Sequence, residues 1–371
     1  MSHVVVLAGY GPSLVGFRGA LIRSMVDRGH RVTAIAPDPQ PPRGFEALGA
    51  AYEPCRLERT GTRPLRDLRA SLGLVRQLRR LRPDVVLAYT MKPVSYGMLA
   101  SRAARVPGRY ALVTGLGYLF IRDGSRRQRL VRMMALPLLR AGLAASSAVF
   151  VQNPDDRADL IDEGVLRATH PTVRFWGSGV DLGDYAPQPV PAGPPVFLLV
   201  ARLLRDKGIR EFVDAARRVH AQAPAARFVL VGPTDPNPAG IPQAELEAWR
   251  EEGLVEVAGA TTDVRPFLAA CTVYVLPSYR EGTPRSVLEA MAVGRPVITT
   301  DVPGCRETVD DQVNGFLVPA KDAPALAEAM LRYLSDPSLV EVHAKESLRM
   351  ARERFDVRKV NAAMMQAMGL G

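Results

Sequence analysis

Two cations and two acids stand out by type and spacing. Arg202 and Lys207 lie five residues apart after an apolar run, and Glu281 and Glu289 lie eight apart across a predicted helix start. A helix N-terminus gathers unpaired N–H groups and the positive end of the dipole, so an anion is the expected guest. Arg202 adds a planar fork of donors there and Lys207 a compact charge. Together they suit a diphosphate. The acids have two readings. By themselves, Glu281 is an acid that favours a helix start and Glu289 an ordinary solvated helix residue; beside an anion seat, a carboxylate calls for a functional reason.

The elements that must position these groups are legible in the pattern. Val273 to Leu276 reads as a buried strand, Thr283 as the cap of a helix with Pro284 in its first turn, Gly294 to Pro296 as its end, and Val297-Ile298-Thr299 as the next strand. Val196 to Val200 is a strand whose end carries Arg202, and Lys207 precedes a helix over Ile209 to Gln222. Gly232 and Gly259 close two further strands. Strand and helix alternate from end to end, which predicts an α/β fold with parallel sheets and ligands at the carboxyl ends of the strands.

The first half repeats the plan. Strand Val4 to Leu7 leads into a loop with Gly11 and Gly16, a helix from Phe17 to Arg28 and strand Arg31 to Ala36. This is not the dinucleotide fingerprint, since the third glycine comes late and no acid ends the second strand. Helix Asp67 to Arg82 precedes strand Asp84 to Ala88 and then Lys92, which is either a cation at a loop tip or a phosphate clamp. Strand Ala111 to Val113 precedes Thr114-Gly115-Leu116-Gly117-Tyr118, a second glycine-rich strand end. From Arg122 to Arg140 six arginines accompany seven apolar residues, the pattern of a helix packed on a core or lying on an anionic membrane. Pro187 to Pro195 sustains neither helix nor sheet, so domains are expected over 1–180 and 195–351, with a C-terminal helix, about 352–371, crossing back.

Composition narrows the classes. The 371 residues suit two domains, and no apolar run approaches the roughly 20 residues of a spanning helix, which predicts a cytoplasmic protein. Three cysteines without a C-x-x-C pair argue against a disulfide framework or a zinc site; Cys271 is expected to pack in the core and His30 to be structural. Residues 1–180 hold 27 Lys+Arg against 13 Asp+Glu, net +14, and the remainder 21 against 25, net −4, so the positive charge sits in the first half. Such a half attracts anionic lipid, anionic substrate or nucleic acid. Without aromatic clusters or a zinc module, nucleic acid is the least supported.

The string from Leu276 to Ala290 resembles the nucleotide-sugar signature of the family 4 glycosyltransferases, and Arg202 with Lys207 resembles that family's basic pair. Phe17-Arg18-Gly19, Thr90-Met91-Lys92-Pro93, Thr114-Gly115-Leu116-Gly117 and Gly232 to Pro238 narrow the likeness. They resemble the bacterial N-acetylgalactosaminyltransferases that extend a polyprenyl-diphosphate-linked sugar. The resemblance spans nearly the whole chain. It implies a GT-B fold, two Rossmann-like domains facing across a cleft, and a retaining transfer from a UDP-sugar with no essential metal or other cofactor. It implies Glu281, Arg202 and Lys207 as catalytic residues and Gly11, Gly16, Gly232, Gly259, Gly282, Thr283, Ser286, Val287 and Glu289 on the donor, with Glu289 at the ribose. On the acceptor it implies Arg18, Lys92, Thr114, Gly115 and Tyr118. The acceptor would be a lipid-diphosphate-linked sugar and the location the inner face of the membrane, bound peripherally through anionic lipid. One departure bears on the acceptor side: many family members carry a histidine after a first-domain strand, and these loops have none. A soluble acceptor and a noncatalytic nucleotide-sugar-binding protein remain the alternatives.

Overall fold

The computed structural model describes residues 1–57, 64–117, 120, 126–237 and 239–371. The chain forms two compact units, Met1–Ser178 with Val357–Gly371, and Gly179–Asp356. Unit 1 runs β1 (His3–Leu7), α1 (Pro12–Gly16), α2 (Gly19–Asp27), β2 (Arg31–Ala36), β3 (Ala51–Pro54), α3 (Pro64–Leu81), β4 (Val85–Tyr89), a π-turn (Pro93–Gly97) and α4 (Met98–Ala103). It continues through β5 (Gly108–Leu112), α5 (Arg126–Ala145), β6 (Ala148–Val151), α6 (Pro154–Asp162) and β7 (Thr172–Arg174). Unit 2 runs β8 (Val196–Val200), α7 (Ile209–His220), β9 (Arg227–Val231), α8 (Gln243–Glu252), β10 (Val255–Gly259), α9 (Arg265–Ala270) and β11 (Val273–Leu276). Then come α10 (Arg285–Val293), β12 (Val297–Thr300), β13 (Gly315–Val318), α11 (Ala323–Ser335) and α12 (Ser338–Arg354), before α13 (Val357–Ala367) returns the chain to unit 1.

Each unit is one parallel sheet, ordered β3-β2-β1-β4-β5-β6-β7 in unit 1 and β10-β9-β8-β11-β12-β13 in unit 2. Helices cover both faces, which explains why the strands read as unbroken apolar runs. In β1, Val4 and Val6 join the core beneath α2 and α13, while Val5 and Leu7 join the core on the other face with Leu74 of α3 and Leu143 of α5. The unit 2 core is centred on Phe197 of β8 and Phe228 of β9, whose rings stack at 5.6 Å.

Several elements differ from the sequence expectation. The loop expected before Phe17 contains a short helix, α1, and the helix expected from Phe17 to Arg28 is α2, which starts two residues later at Gly19. α6, α8, β3 and β7 had no clear periodic signal, being short or strongly polar. The Pro-rich stretch does not part the domains, since the division falls at Ser178/Gly179 and again at Asp356/Val357. What holds that stretch is Arg295. Its fully buried guanidinium donates to the carbonyls of Leu268, Ala269, Gln188, Pro189 and Gly294 at 2.9 to 3.3 Å, so all five N–H donors are used. Residues 188 and 189 are thereby fixed to the C-terminal end of α9. Arg295→Met leaves those carbonyls without donors and is expected to cost at least about 3 kcal/mol in urea unfolding; a loss below about 1 kcal/mol would show that the linker is held by something else.

Candidate functional site

The strand order of unit 2 reverses between β8 and β11, so the loops leaving these strands flank a crevice outside their carboxyl ends. Gly208, with φ +70°, ends the β8 loop against the β11 loop: a Cβ there would lie 2.0 Å from the Pro277 carbonyl oxygen. Only glycine fits. Tyr279 N–H donates to the Asp206 carbonyl at 2.8 Å, and Ser278 Oγ donates to the same oxygen at 3.0 Å. This backbone clamp brings two of the three expected catalytic residues into contact. Lys207 Nζ donates to Glu281 Oε1 at 2.5 Å, and Ser278 Oγ lies 2.8 Å from that oxygen. Arg202 departs from the expectation that both cations turn to the helix start. Its side chain is 54% exposed and donates to Asp235 Oδ2 at 3.0 Å, on the loop after β9.

α10 begins after Pro284, the cap residue in extended conformation, not Thr283 as expected. The Thr283 hydroxyl is buried with no hydrogen-bond partner among the described residues. Proline lacks an N–H, and the Val287 amide donates to the Pro284 carbonyl at 3.1 Å, so the first turn of the helix is closed from Val287 onward. The Val287 side chain is fully buried in the core. Ser286 hydrogen-bonds the Tyr274 hydroxyl, which donates to the Val200 carbonyl at 3.0 Å. Gly232 and Gly259 are tied together, amide to carbonyl, at 2.8 Å; a Cβ on Gly232 would meet the Ala201 carbonyl at 1.7 Å, so β8 and β9 can end side by side. Gly282 follows Glu281, whose amide donates to the Pro303 carbonyl.

Glu289 is not a solvated helix residue. It is 8% exposed, accepts from Arg285 Nε at 2.8 Å and accepts from the Tyr185 hydroxyl. Burial pushes its carboxyl up, and Arg285 and Tyr185 only partly restore it. The Tyr185 phenol is raised in turn by burial and by Glu289. Arg285 could have been found from the i, i+4 spacing. Tyr185 could not, because nothing local links it to a helix a hundred residues on.

In unit 1 the Gly11 amide donates to Asp38 Oδ2 at 2.6 Å, so an acid does stand just beyond β2, and it takes the amide offered to the donor. Gly16 closes α1. Arg18 is buried, its guanidinium 5.6 Å from the Tyr89 ring centre and 5.9 Å from that of Phe175. Lys92 is not a bare loop cation: Nζ donates to the buried Asp67 carboxylate at 2.8 Å, which also accepts from Tyr96. Thr114 and Gly115 follow β5, half-buried. Tyr118 lies outside the described residues. His30 is structural, bonded to the Ser2 amide and the Leu370 carbonyl, and Cys271 is buried. Among the described residues no cluster of His, Cys, Asp or Glu could hold a metal ion, and no helix is long and apolar enough to cross a membrane.

Two parallel-sheet units with a lysine–glutamate contact at the switch point of the second fit the class of the glycosyltransferases, and comparison with known proteins agrees. The chain belongs to the glycosyltransferases of group 1, with the group 1 model matching residues 194–336 and the glycosyl transferase 4-like domain matching residues 18–176. It is 30% identical over 347 residues to an N,N'-diacetylbacillosaminyl-diphospho-undecaprenol α-1,3-N-acetylgalactosaminyltransferase of Campylobacter jejuni, covering 90% of this chain and 89% of the relative. A UDP-Gal:α-D-GlcNAc-diphosphoundecaprenol α-1,3-galactosyltransferase of Escherichia coli is 24% identical over 74% of this chain and 72% of its own. Among solved structures, sucrose-phosphate synthase of Thermosynechococcus elongatus superposes with a TM-score of 0.82 at 23% identity, over 99% of this chain and 98% of that one. HepE of Anabaena in complex with UDP-glucose gives 0.76 at 22%, over the full length of both. The chain is a glycosyltransferase of GT-B fold, built from two Rossmann-like units.

The raised Glu289 carboxyl gives a test of this geometry. The folded chain holds that proton to higher pH than the unfolded chain, so the wild type has its full stability at this position only below the ordinary carboxylate range and loses it as pH rises through the raised value. Glutamine does not titrate. Glu289→Gln should therefore melt higher relative to wild type at pH 8 than at pH 4, and a relative melting temperature that falls between those pH values would contradict the buried placement.

Proposed function

We propose that the chain moves a sugar, an N-acetylhexosamine, from a UDP-sugar to a polyprenyl-diphosphate-linked sugar, with retention of anomeric configuration, at the inner face of a membrane to which it binds peripherally. The observation that carries the reading is the contact of Lys207 with Glu281 beside the α10 N-terminus. It is supported by the acceptor named for the Campylobacter jejuni relative, the donor named for the Escherichia coli relative and the UDP-glucose held by HepE.

In this mechanism the bond from the anomeric carbon to the donor phosphate oxygen breaks, and the electron pair leaves with the diphosphate toward Lys207, Arg202 and the N-terminus of α10. The acceptor hydroxyl attacks the same face of the sugar and gives its proton to a departing phosphate oxygen, so no residue acts as nucleophile. Glu281, fixed by Lys207, positions the sugar. Glu289, fixed by Arg285 and Tyr185, holds the ribose. Lys92 holds the acceptor's diphosphate, sharing its charge with Asp67. No resident metal enters the scheme, because arginine, lysine and amide donors meet the developing charge.

Lys207→Ala and Arg202→Ala are each expected to cost about 2 to 4 kcal/mol in kcat/KM with UDP-N-acetylhexosamine and a lipid-linked acceptor. Arg202→Ala should leave the melting temperature nearly unchanged, since a half-exposed ion pair contributes about 1 kcal/mol or less. Activity within threefold of wild type in either variant refutes the diphosphate assignment, and a product of inverted anomeric configuration by NMR refutes retention. Lys92→Ala should raise KM for the lipid-linked acceptor much more than for the UDP-sugar. Equal rates on the free acceptor sugar and its diphosphate-lipid form would favour the soluble-acceptor reading.

A further inference from the structure

α5 packs on unit 1 by one face only. Gly142 sits so close to the π-turn that a Cβ would meet the Val94 carbonyl at 2.5 Å, and Leu139 and Leu143 are buried beside it. The opposite face is apolar too. Leu130, Met133 and Met134 are 53%, 66% and 44% exposed, and Pro137 is exposed with them. Spacings of three, four and seven residues put these four on one stripe. Arg140 and Ala144 continue the stripe by the same spacing, and both line a cavity of about 100 Å³ closed by Val165, Leu166, Arg167 and His170. That volume is far below the roughly 300 to 1,000 Å³ of small-molecule sites, so the cavity suits one ionic group and not a nucleotide. Arg129, Arg140 and Arg167 are exposed and have no ion-pair partner among the described residues, whereas Arg132 turns aside to Glu163 at 2.7 Å.

We infer that the outer face of α5 is the surface by which the chain lies on an anionic bilayer, with the Arg140–Arg167–His170 cavity taking the phosphate of a lipid head group; this deepens the peripheral-membrane part of the proposed function and rests on it. Charge decides the occupant. Apolar side chains flanked by unpaired arginines match acyl chains beneath anionic phosphates, while a second copy of the same face would set arginine against arginine. His170 Nε2 lies 3.1 Å from the Ser146 hydroxyl, so the ring is oriented at the cavity wall and reports on what enters.

The test uses the full chain with phosphatidylcholine vesicles, with and without phosphatidylglycerol, at low and high salt. Wild type should bind the anionic vesicles and be released by salt. Leu130→Glu/Met133→Glu should lower binding at least about tenfold, and Arg140→Gln/Arg167→Gln should lower it roughly fivefold per arginine on anionic vesicles alone. All of these positions are exposed, so melting temperatures should stay at the wild-type value. Glycerol 1-phosphate should shift the His170 imidazole resonance in wild type and not in Arg140→Gln/Arg167→Gln. Vesicle binding that survives both double substitutions overturns the surface and leaves the transferase reading standing, since sugar transfer to a short-chain soluble acceptor is measured apart from it. A dimer in solution that Leu130→Glu/Met133→Glu dissociates assigns the face to a second copy. A His170 shift without any dependence of vesicle binding on the arginines makes the cavity a free-phosphate site and overturns the head-group assignment.

Discussion

The contact between Lys207 and Glu281 exists only because two backbones touch. The β8 and β11 loops meet at Gly208 and Pro277 with no room for a side chain, and the Asp206 carbonyl receives both the Tyr279 amide and the Ser278 hydroxyl. The switch point of the sheet sends these loops to the same place, but it does not set their spacing to within a hydrogen bond. That is done by the glycine and the shared carbonyl. Once it is done, a lysine and a glutamate 74 residues apart in sequence are fixed side by side at the start of α10.

α10 is the second half of this arrangement, and its burial explains the behaviour of its acid. From Val287 to Val293 every residue is buried, so Glu289 has no aqueous side to turn to. A carboxylate there must be met by donors, and Arg285 from one turn back and Tyr185 from the connection meet it. Tyr185 is available because Arg295 holds residues 188 and 189 down on the same unit. The buried guanidinium, the connection and the buried acid thus form one chain of dependence: loosening the first frees the second and leaves the third short of a donor.

Much of this was legible in the sequence where the signal is local. Alternating apolar runs and glycine-terminated helices gave two parallel α/β units, because strands covered on both faces must be apolar throughout. The positions of Arg202, Lys207 and Glu281 at strand ends followed from the same pattern. What could not be read were partners brought from afar. Asp38 on the Gly11 amide, Asp67 on Lys92, Asp235 on Arg202 and Tyr185 on Glu289 each join loops through a contact no periodicity encodes. The expected domain ends at 180 and about 352 lie within a few residues of the division, but the stretch expected between the domains falls inside unit 2. Pro187 to Pro195 has the composition of a linker, and its attachment to Arg295 is invisible without the fold. Thr283 was misread because a Thr-Pro pair offers two cap residues, and the extended proline won.

The carboxylates paired with these cations share a logic. Lys207, Arg202, Arg285 and Lys92 each hold an acid of the chain itself, so no cation assigned to a diphosphate stands without a counter-charge. Such pairing keeps the loops ordered before any substrate arrives, and it lowers what binding must spend on organising them. The pairs are not equally able to yield. Lys207 with Glu281 and Lys92 with Asp67 are mostly buried, and parting either strands a charge, whereas Arg202 with Asp235 lies half in solvent where the acid can be rehydrated. Arg202 is therefore the cation that can change partners during a catalytic cycle, while Lys207 keeps Glu281 and offers its remaining donors. In the proposed mechanism this difference would let the exposed arginine follow the diphosphate as it leaves, while the buried lysine would mark where it leaves from.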